Sequence, residues 1–401
     1  MKCTAKEVLQ FAEENDVKFV KLTFCDLFGR QKNVSIVSQQ LPNIFDNGYL
    51  FNSTAVPGFT DCVGDLLLFP DPKTLTVLPW RPRTGEVVSL LTNIKRPDGS
   101  FFAGDTLHLL DAAKGKLSKM GLRCEIATEC EFYIFKQDSE GNPTRVPIDR
   151  GGYFDSSPDD AGENVRRDII LNLEDMGIVP TASHHEKGPG QNEIDFKPDE
   201  PGCAARNLLY FKSAVKNVCH LSGMHATFDP KPLEGKAGSG LRIVLTLSGI
   251  GEKASASVLD AFTQGVMQKV REAVPFFNTT PESMLLLDER RAPAQDYKDA
   301  DRGVYVRRLP CADGMCRIEI NSADCLCNPF LAFALLLDAG VYGVEHKCAG
   351  KETAFPAAGE TLPHTLGQAL EIAQKSAWLK SVLSESVLNE YVRVKRAECV
   401  Q

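Results

Sequence analysis

Acidic residues set where a strand should be buried are the chemical signal in this sequence. In Ala127-Thr128-Glu129-Cys130-Glu131-Phe132-Tyr133-Ile134-Phe135, Glu129 and Glu131 stand two apart. On a strand both carboxylates leave one face while Cys130 and Phe132 leave the other. Two like charges so close raise each other's pKa unless a cation neutralises them, and hard ions such as Mg²⁺ or Mn²⁺ take carboxylate oxygens as ligands. Taken alone, the pair also fits a solvent-facing strand edge.

Two further segments extend the pattern. In His184-His185-Glu186-Lys187-Gly188-Pro189-Gly190-Gln191-Asn192-Glu193-Ile194-Asp195-Phe196 a Gly-Pro-Gly turn lies between Glu186 and Glu193 and can fold both carboxylates back toward one point. The two histidines read more readily as structural or supporting groups than as a zinc pair. Arg317-Ile318-Glu319-Ile320-Asn321 alternates strictly, which puts Arg317, Glu319 and Asn321 on one face and the isoleucines on the other. Five carboxylates, Glu129, Glu131, Glu186, Glu193 and Glu319, thus suggest a site for one or two metal ions. Gly235-Lys236-Ala237-Gly238-Ser239-Gly240 is not a Walker loop, because no Lys-Ser/Thr closes it. A nucleotide would be held through metal and arginines, for which Arg302 and Arg307 are candidates, since guanidinium forks match phosphate oxygens. Surface arginines in a loop are the alternative reading of that pair.

The elements that must position these groups fall into two sets. Val17 to Phe24, a turn at Asp26-Leu27-Phe28-Gly29-Arg30, and Gln31 to Val37 read as a hairpin, and Asp65 to Pro70 and Leu75 to Trp80 as further short strands. A turn-forming cluster, Lys95-Arg96-Pro97-Asp98-Gly99-Ser100, ends this small sheet domain, so the division is expected near residue 100, giving 1–100 and 101–401. Beyond it, strands such as Ile126 to Phe135 and Arg242 to Leu247 alternate with helices expected over Thr106 to Met120, Asn207 to Ser222, Ser257 to Val274, Pro329 to Val344, Leu366 to Lys375 and Val387 to Arg396. Asn328 is a plausible N-cap ahead of Pro329. The fold class is α+β.

Composition excludes other classes. In 401 residues, 45 Lys+Arg against 53 Asp+Glu leave a net charge of −8, and the short basic clusters make no phosphate-tracking stripe, so nucleic acid is not an expected partner. The longest apolar run, Phe330 to Leu337, is far short of the roughly 20 residues that span a bilayer, so no membrane role is expected either. No apolar stretch follows the first basic residue, so a cytoplasmic location is expected. The 13 cysteines lack zinc-knuckle spacing and read as reduced, small buried hydrophobes.

Taken in order, these segments resemble the glutamine synthetase family over nearly the whole chain. The resemblance is carried by Asp71-Pro72-Lys73-Thr74 through Pro79-Trp80-Arg81-Pro82, Glu129-Cys130-Glu131-Phe132, His184-His185-Glu186 with Gly190-Gln191-Asn192-Glu193-Ile194, Ala226-Thr227-Phe228-Asp229-Pro230-Lys231-Pro232, Arg317-Ile318-Glu319 and Asn328-Pro329-Phe330-Leu331-Ala332-Phe333. It implies an N-terminal β-grasp domain, a C-terminal catalytic domain around a curved antiparallel sheet, and a homo-oligomeric ring, usually a dodecamer of two stacked hexamers. It also implies ATP and Mg²⁺ or Mn²⁺ as cofactors, and a small-molecule acid and amine as substrates. ATP phosphorylates a side-chain carboxylate, and ammonia or another amine displaces phosphate. Carried over by position, Glu131, Glu186 and Glu193 match the ligands of one metal, Glu129 and Glu319 two of three ligands of a second, and Arg302 and Arg307 the phosphoryl- and nucleotide-contacting arginines. Arg317, Gly238 and Asn321 fall in the nucleotide- and substrate-binding segments.

The departures bear on specificity. The family's Gly-Ser-Gly-Met-His is Gly238-Ser239-Gly240-Leu241-Arg242 here, so the third ligand of the second metal, a histidine, is replaced by Arg242. That arginine either stands in for the positive charge or pairs with Glu129 or Glu319. Ala237 stands where the family's Asn holds substrate glutamate, Asn52 where an Asp helps deprotonate ammonium, and Asn321 where an arginine clamps the substrate carboxylate. The resulting expectation is a ligase of this family with altered acid or amine specificity. A non-catalytic or regulatory ring protein is the alternative.

Overall fold

The computed structural model describes residues 3–59, 64–80, 85–288, 304–309, 314–350 and 361–399. Arg302 lies outside them. The first sheet runs in the order Gln31–Val37, Phe19–Cys25, Val87–Lys95, Asp65–Pro70, Tyr49–Asn52, with Thr76–Val77 also paired to Val87–Lys95. Phe19–Cys25 pairs with Val87–Lys95 in parallel and with Gln31–Val37 as the expected hairpin. Its inward side chains Val20, Leu22 and Phe24 join Leu66, Leu68, Leu90 and Phe102 in a core of their own.

Two helices in this region escaped the strand-only reading. Ala5–Glu14 is opened by a capping box in which the Thr4 side chain accepts from the Glu7 N–H and the Glu7 carboxylate accepts from the Thr4 N–H at 2.6 Å. Leu41–Asn47 carries a proline in its first turn.

The second sheet is the larger and is antiparallel throughout, ordered Val306–Leu309, Met315–Asp324, Gly240–Gly249, Leu122–Gln137, Gln191–Phe196, Pro180–His185, with Met224–Thr227 and Pro143–Pro147 also paired to the long central strand. One face is apolar: Cys130, Phe132, Leu241, Ile243, Leu245, Ile318 and Ile320 are buried in a core shared with the helices Pro201–Leu221, Ala256–Phe277 and Pro329–Glu345. Alternation then sends every second residue of the same strands to the other face, where the charged side chains are.

The expected helices are all present, Leu366–Lys375 with the expected bounds and the others with shifted ends: Thr106–Lys119, Pro201–Leu221, Ala256–Phe277, Pro329–Glu345 and Glu385–Glu398. Pro201–Leu221 starts six residues before the expected Asn207, because Glu200 caps it by accepting from the Gly202 and Cys203 N–H groups and Pro201 occupies the first helical position. Glu163–Asp175 and Ala377–Leu383 are helices the sequence reading did not contain.

The two sheets are joined at the hairpin turn. Gly29, at φ 85°, packs so closely that a Cβ there would lie 2.5 Å from the Leu326 carbonyl oxygen and 2.9 Å from the Asn328 nitrogen. Asn328 donates from Nδ2 to the Asp26 carbonyl at 2.8 Å and accepts the Leu331 N–H at 3.1 Å, so one side chain caps the helix Pro329–Glu345 and holds the turn. No helix among the described residues is long and apolar enough to cross a membrane.

Candidate active site

The polar face of the large sheet gathers the sequence-selected glutamates by register. Glu193 pairs with Glu131 across one strand boundary and with His184 across the next. Asp195 and Arg242 flank Glu129 on its two sides. Glu319 lies opposite Val244 on one side and Arg307 on the other. Four segments distant in sequence therefore place their side chains on one face, and strand pairing does the placing.

Glu131, Glu186 and Glu193 converge, with one carboxylate oxygen of each within 4.8 Å of the others. The turn read from Gly188-Pro189-Gly190 does bring Glu186 back to Glu193, closed by the Glu186 N–H donating to the Gln191 carbonyl at 2.8 Å. Burial, then repulsion from Glu186, pushes Glu131 up to about 7, even though the Gly240 N–H donates to it at 2.8 Å. Burial, then Glu131 and Asp195, pushes Glu193 up to about 10. Without a cation Glu131 and Glu193 therefore hold protons at neutral pH. An all-oxygen donor set of three carboxylates fits a hard divalent cation such as Mg²⁺ or Mn²⁺, and these residues would hold it.

The supporting shell was only partly foreseen. Gln191 donates from Nε2 to Glu131 and to the Gly238 carbonyl, both at 3.1 Å, and its Oε1 accepts the Gly188 N–H at 2.8 Å. Tyr133 donates to the Ala237 carbonyl at 2.6 Å, which ties the loop before Gly238 to the central strand. Burial, then the charge of Glu131, pushes its phenol up. Gly238 itself admits no side chain, since a Cβ would meet the Pro230 carbonyl and come within 2.5 Å of Leu286 Cδ2. Asp195 was passed over, yet it shares the face of Glu193, and burial raises its pKa too. His184 approaches Glu193 at 3.2 Å through Nε2, while His185, fully buried, places its two ring nitrogens on the Glu186 carbonyl at 2.6 Å and Asp149 at 3.0 Å. Both histidines thus support the loop.

The remaining selected residues separate from this cluster. Arg242 pairs with Glu129 through Nη1. Burial opposes its charge, but Glu129, Glu319, Glu193 and Glu131 hold the guanidinium above its ordinary pKa. Arg307 grips Glu319 with two bonds, Nε to Oε1 at 2.6 Å and Nη2 to Oε2 at 3.1 Å. Arg317 is exposed. Asn321 is buried and donates to the Val304 carbonyl at 3.0 Å, so it ties its strand to the segment before Arg307. Asn52 is exposed and caps its own turn, accepting from the Thr54 N–H at 3.0 Å and hydroxyl at 2.7 Å.

Comparison with known proteins agrees with this architecture from end to end. The family model of the glutamine synthetase β-grasp domain matches residues 16–97, and that of the glutamine synthetase catalytic domain matches residues 103–401. A glutamine synthetase of Methanosarcina mazei is 36% identical over 423 residues, covering 99% of this chain and 94% of that protein. One of Clostridium saccharobutylicum is 34% identical, covering 99% and 95%. Among solved structures, "Apo GmaS without ligand" superposes with a TM-score of 0.84 at 24% identity, covering 100% of this chain and 96% of that one. "Crystal structure of novel glutamine synthase homolog" gives 0.83 at 21% identity, covering 96% and 94%. At those identities the structural likeness speaks for the fold alone.

Proposed function

The chain belongs to the glutamine synthetase family, and on that premise we propose that it is an ATP-dependent carboxylate–amine ligase whose acid or amine differs from the glutamate and ammonia of glutamine synthesis. The observation that carries the reading is the convergence of Glu131, Glu186 and Glu193 on one polar face of the sheet whose terminal strand carries Arg307.

The chemistry is a balanced pair of displacements. A carboxylate oxygen of the acid attacks the γ-phosphorus of ATP, the bond to the β-γ bridging oxygen breaks, and ADP leaves. The amine then attacks the acyl carbon of the resulting acyl phosphate, loses a proton, and expels inorganic phosphate. A cation held by Glu131, Glu186 and Glu193 would supply positive charge to the phosphate oxygens. Arg302 and Arg307 serve the same charge from the protein side. The Arg307 Nε and Nη2 are occupied by Glu319, so its Nη1 is the atom offered to a phosphate oxygen. Gly238 keeps the loop close to Gln191, and the exposed Arg317, two residues from Glu319, is assigned to the nucleotide.

Altered specificity is supported by the positions that depart from the family. Asn52 is a neutral amide and cannot take the proton of an incoming ammonium, Asn321 is committed to Val304, and Ala237 presents only a methyl group and a carbonyl that Tyr133 already engages. An amine that arrives unprotonated, or an acid anchored by other groups, is the substrate such a site favours. A two-domain chain divided near residue 100 and a homo-oligomeric assembly complete the proposal.

The test is purified protein with ATP, Mg²⁺ or Mn²⁺ and a panel of acids and amines, with ADP, phosphate and amide measured. The expected result is stoichiometric ADP and amide with one pair, faster than with glutamate and ammonium. No turnover with any pair, together with no calorimetric ATP binding, would leave the non-catalytic ring protein as the reading.

A further inference from the structure

The five sequence-selected glutamates divide into two unlike groups. Glu131, Glu186 and Glu193 turn toward one another, with His184 Nε2 3.2 Å from Glu193 and the charges of Arg242 and Lys187 felt at Glu131 without a direct ion pair to it among the described contacts. Glu129 and Glu319 instead each meet a guanidinium: Arg242 from the adjoining strand pairs with Glu129, and Arg307 from the terminal strand of the sheet grips Glu319 with two bonds. Arg242 and Glu129 are direct partners in the antiparallel register, so the pairing is built into the sheet. Arginine carries its charge permanently and has no lone pair to offer, so it cannot ligate a cation.

We infer that Arg242 takes the place of a second divalent cation, and that the chain consequently loads one such ion where the sequence carries carboxylates enough for two. The second cation does not fit the residues present. It would have to strip Glu129 from Arg242 and Glu319 from Arg307, and then sit beside both displaced guanidinium groups with no neutral third ligand from position 242. The positive charge at this end of the site is instead covalently attached. It is present at any free metal concentration, and metal is required only at the Glu131, Glu186 and Glu193 cluster. The inference rests on the cation reading of that cluster.

Mn²⁺ counting on the purified full-length protein, without nucleotide, tests it by equilibrium dialysis with atomic absorption and by electron paramagnetic resonance. One tightly bound Mn²⁺ per chain is expected for the unmodified protein and for Arg242→Lys, which keeps the charge. Arg242→His, which supplies a neutral nitrogen ligand, should bind two and show the line broadening of a coupled pair. Two tight ions in the unmodified protein would overturn the inference while leaving the cluster reading intact. A single ion in Arg242→His, with a native circular dichroism spectrum, would also overturn it. No tight ion in the unmodified protein would overturn the cluster reading itself and the inference with it.

Discussion

Cation binding should depend steeply on pH, and the structure sets the size of the effect. Burial and mutual repulsion hold Glu131 at about 7 and Glu193 at about 10, both above the ordinary carboxylate range. Near neutrality the cluster therefore keeps between one and two protons, and an incoming cation must displace them. Each displaced proton makes the apparent affinity about tenfold stronger per pH unit, so between pH 6 and 8 a single proton amounts to roughly a hundredfold, or about 2.7 kcal/mol. The sign follows from the raised pKa values. Protons compete on the acid side, so binding tightens as pH rises through the folded values. The same shifts make the metal-free protein lose stability as pH rises from the unfolded carboxylate range toward the folded values, because the folded state binds more protons than the unfolded one there. Mn²⁺ should therefore raise the melting temperature much more at pH 8 than at pH 6, and calorimetry at pH 7 in buffers of different ionisation enthalpy should register at least one proton released per ion. Affinity that is flat across pH 6 to 8, with no proton release, would refute the claim that these carboxylates share protons and a cation.

Three further outcomes follow from named contacts. Arg307→Ala leaves the nearly buried Glu319 carboxylate without its partner and should cost about 3–5 kcal/mol in denaturant unfolding, whereas Arg307→Met combined with Glu319→Leu should be close to neutral in stability. Gly238→Ala forces the loop off Pro230 and Leu286 and moves the carbonyl that Gln191 holds, so cation affinity should fall by about tenfold or more with the circular dichroism spectrum unchanged. Asn328→Ala removes both an N-cap and the bond to the Asp26 carbonyl and should destabilise by about 2–3 kcal/mol, while Asn328→Asp, which keeps only the cap, should recover about half.

Where period-two alternation governs, the site was legible in the sequence. Glu129 with Glu131, and Glu319 with its isoleucine neighbours, announce a strand with one charged and one apolar face, and the structure has both. Asp195 obeys the same alternation two residues after Glu193, so its place on the charged face was legible as well. The capping box at Thr4 and Glu7 and the proline after Glu200 are local signals of the same kind, each marking a helix start. The ion pairs were not legible. Arg242 meets Glu129 only through the pairing of two strands far apart in the chain, and whether it would pair with Glu129 or with Glu319 depended on register. Arg307 was assigned to nucleotide alone because nothing local shows that its strand folds back onto that of Glu319. Gln191 lay inside a recognised motif, but its role depends on Glu131 and Gly238 arriving from two other segments.

The central claim is that ATP activates a carboxylate as an acyl phosphate before the amine arrives. With the acid labelled by ¹⁸O in its carboxylate and the turnover pair found in the substrate panel, the account predicts that each inorganic phosphate carries one ¹⁸O atom taken from the acid. Phosphate without that label, released at the rate of ATP consumption, would contradict it.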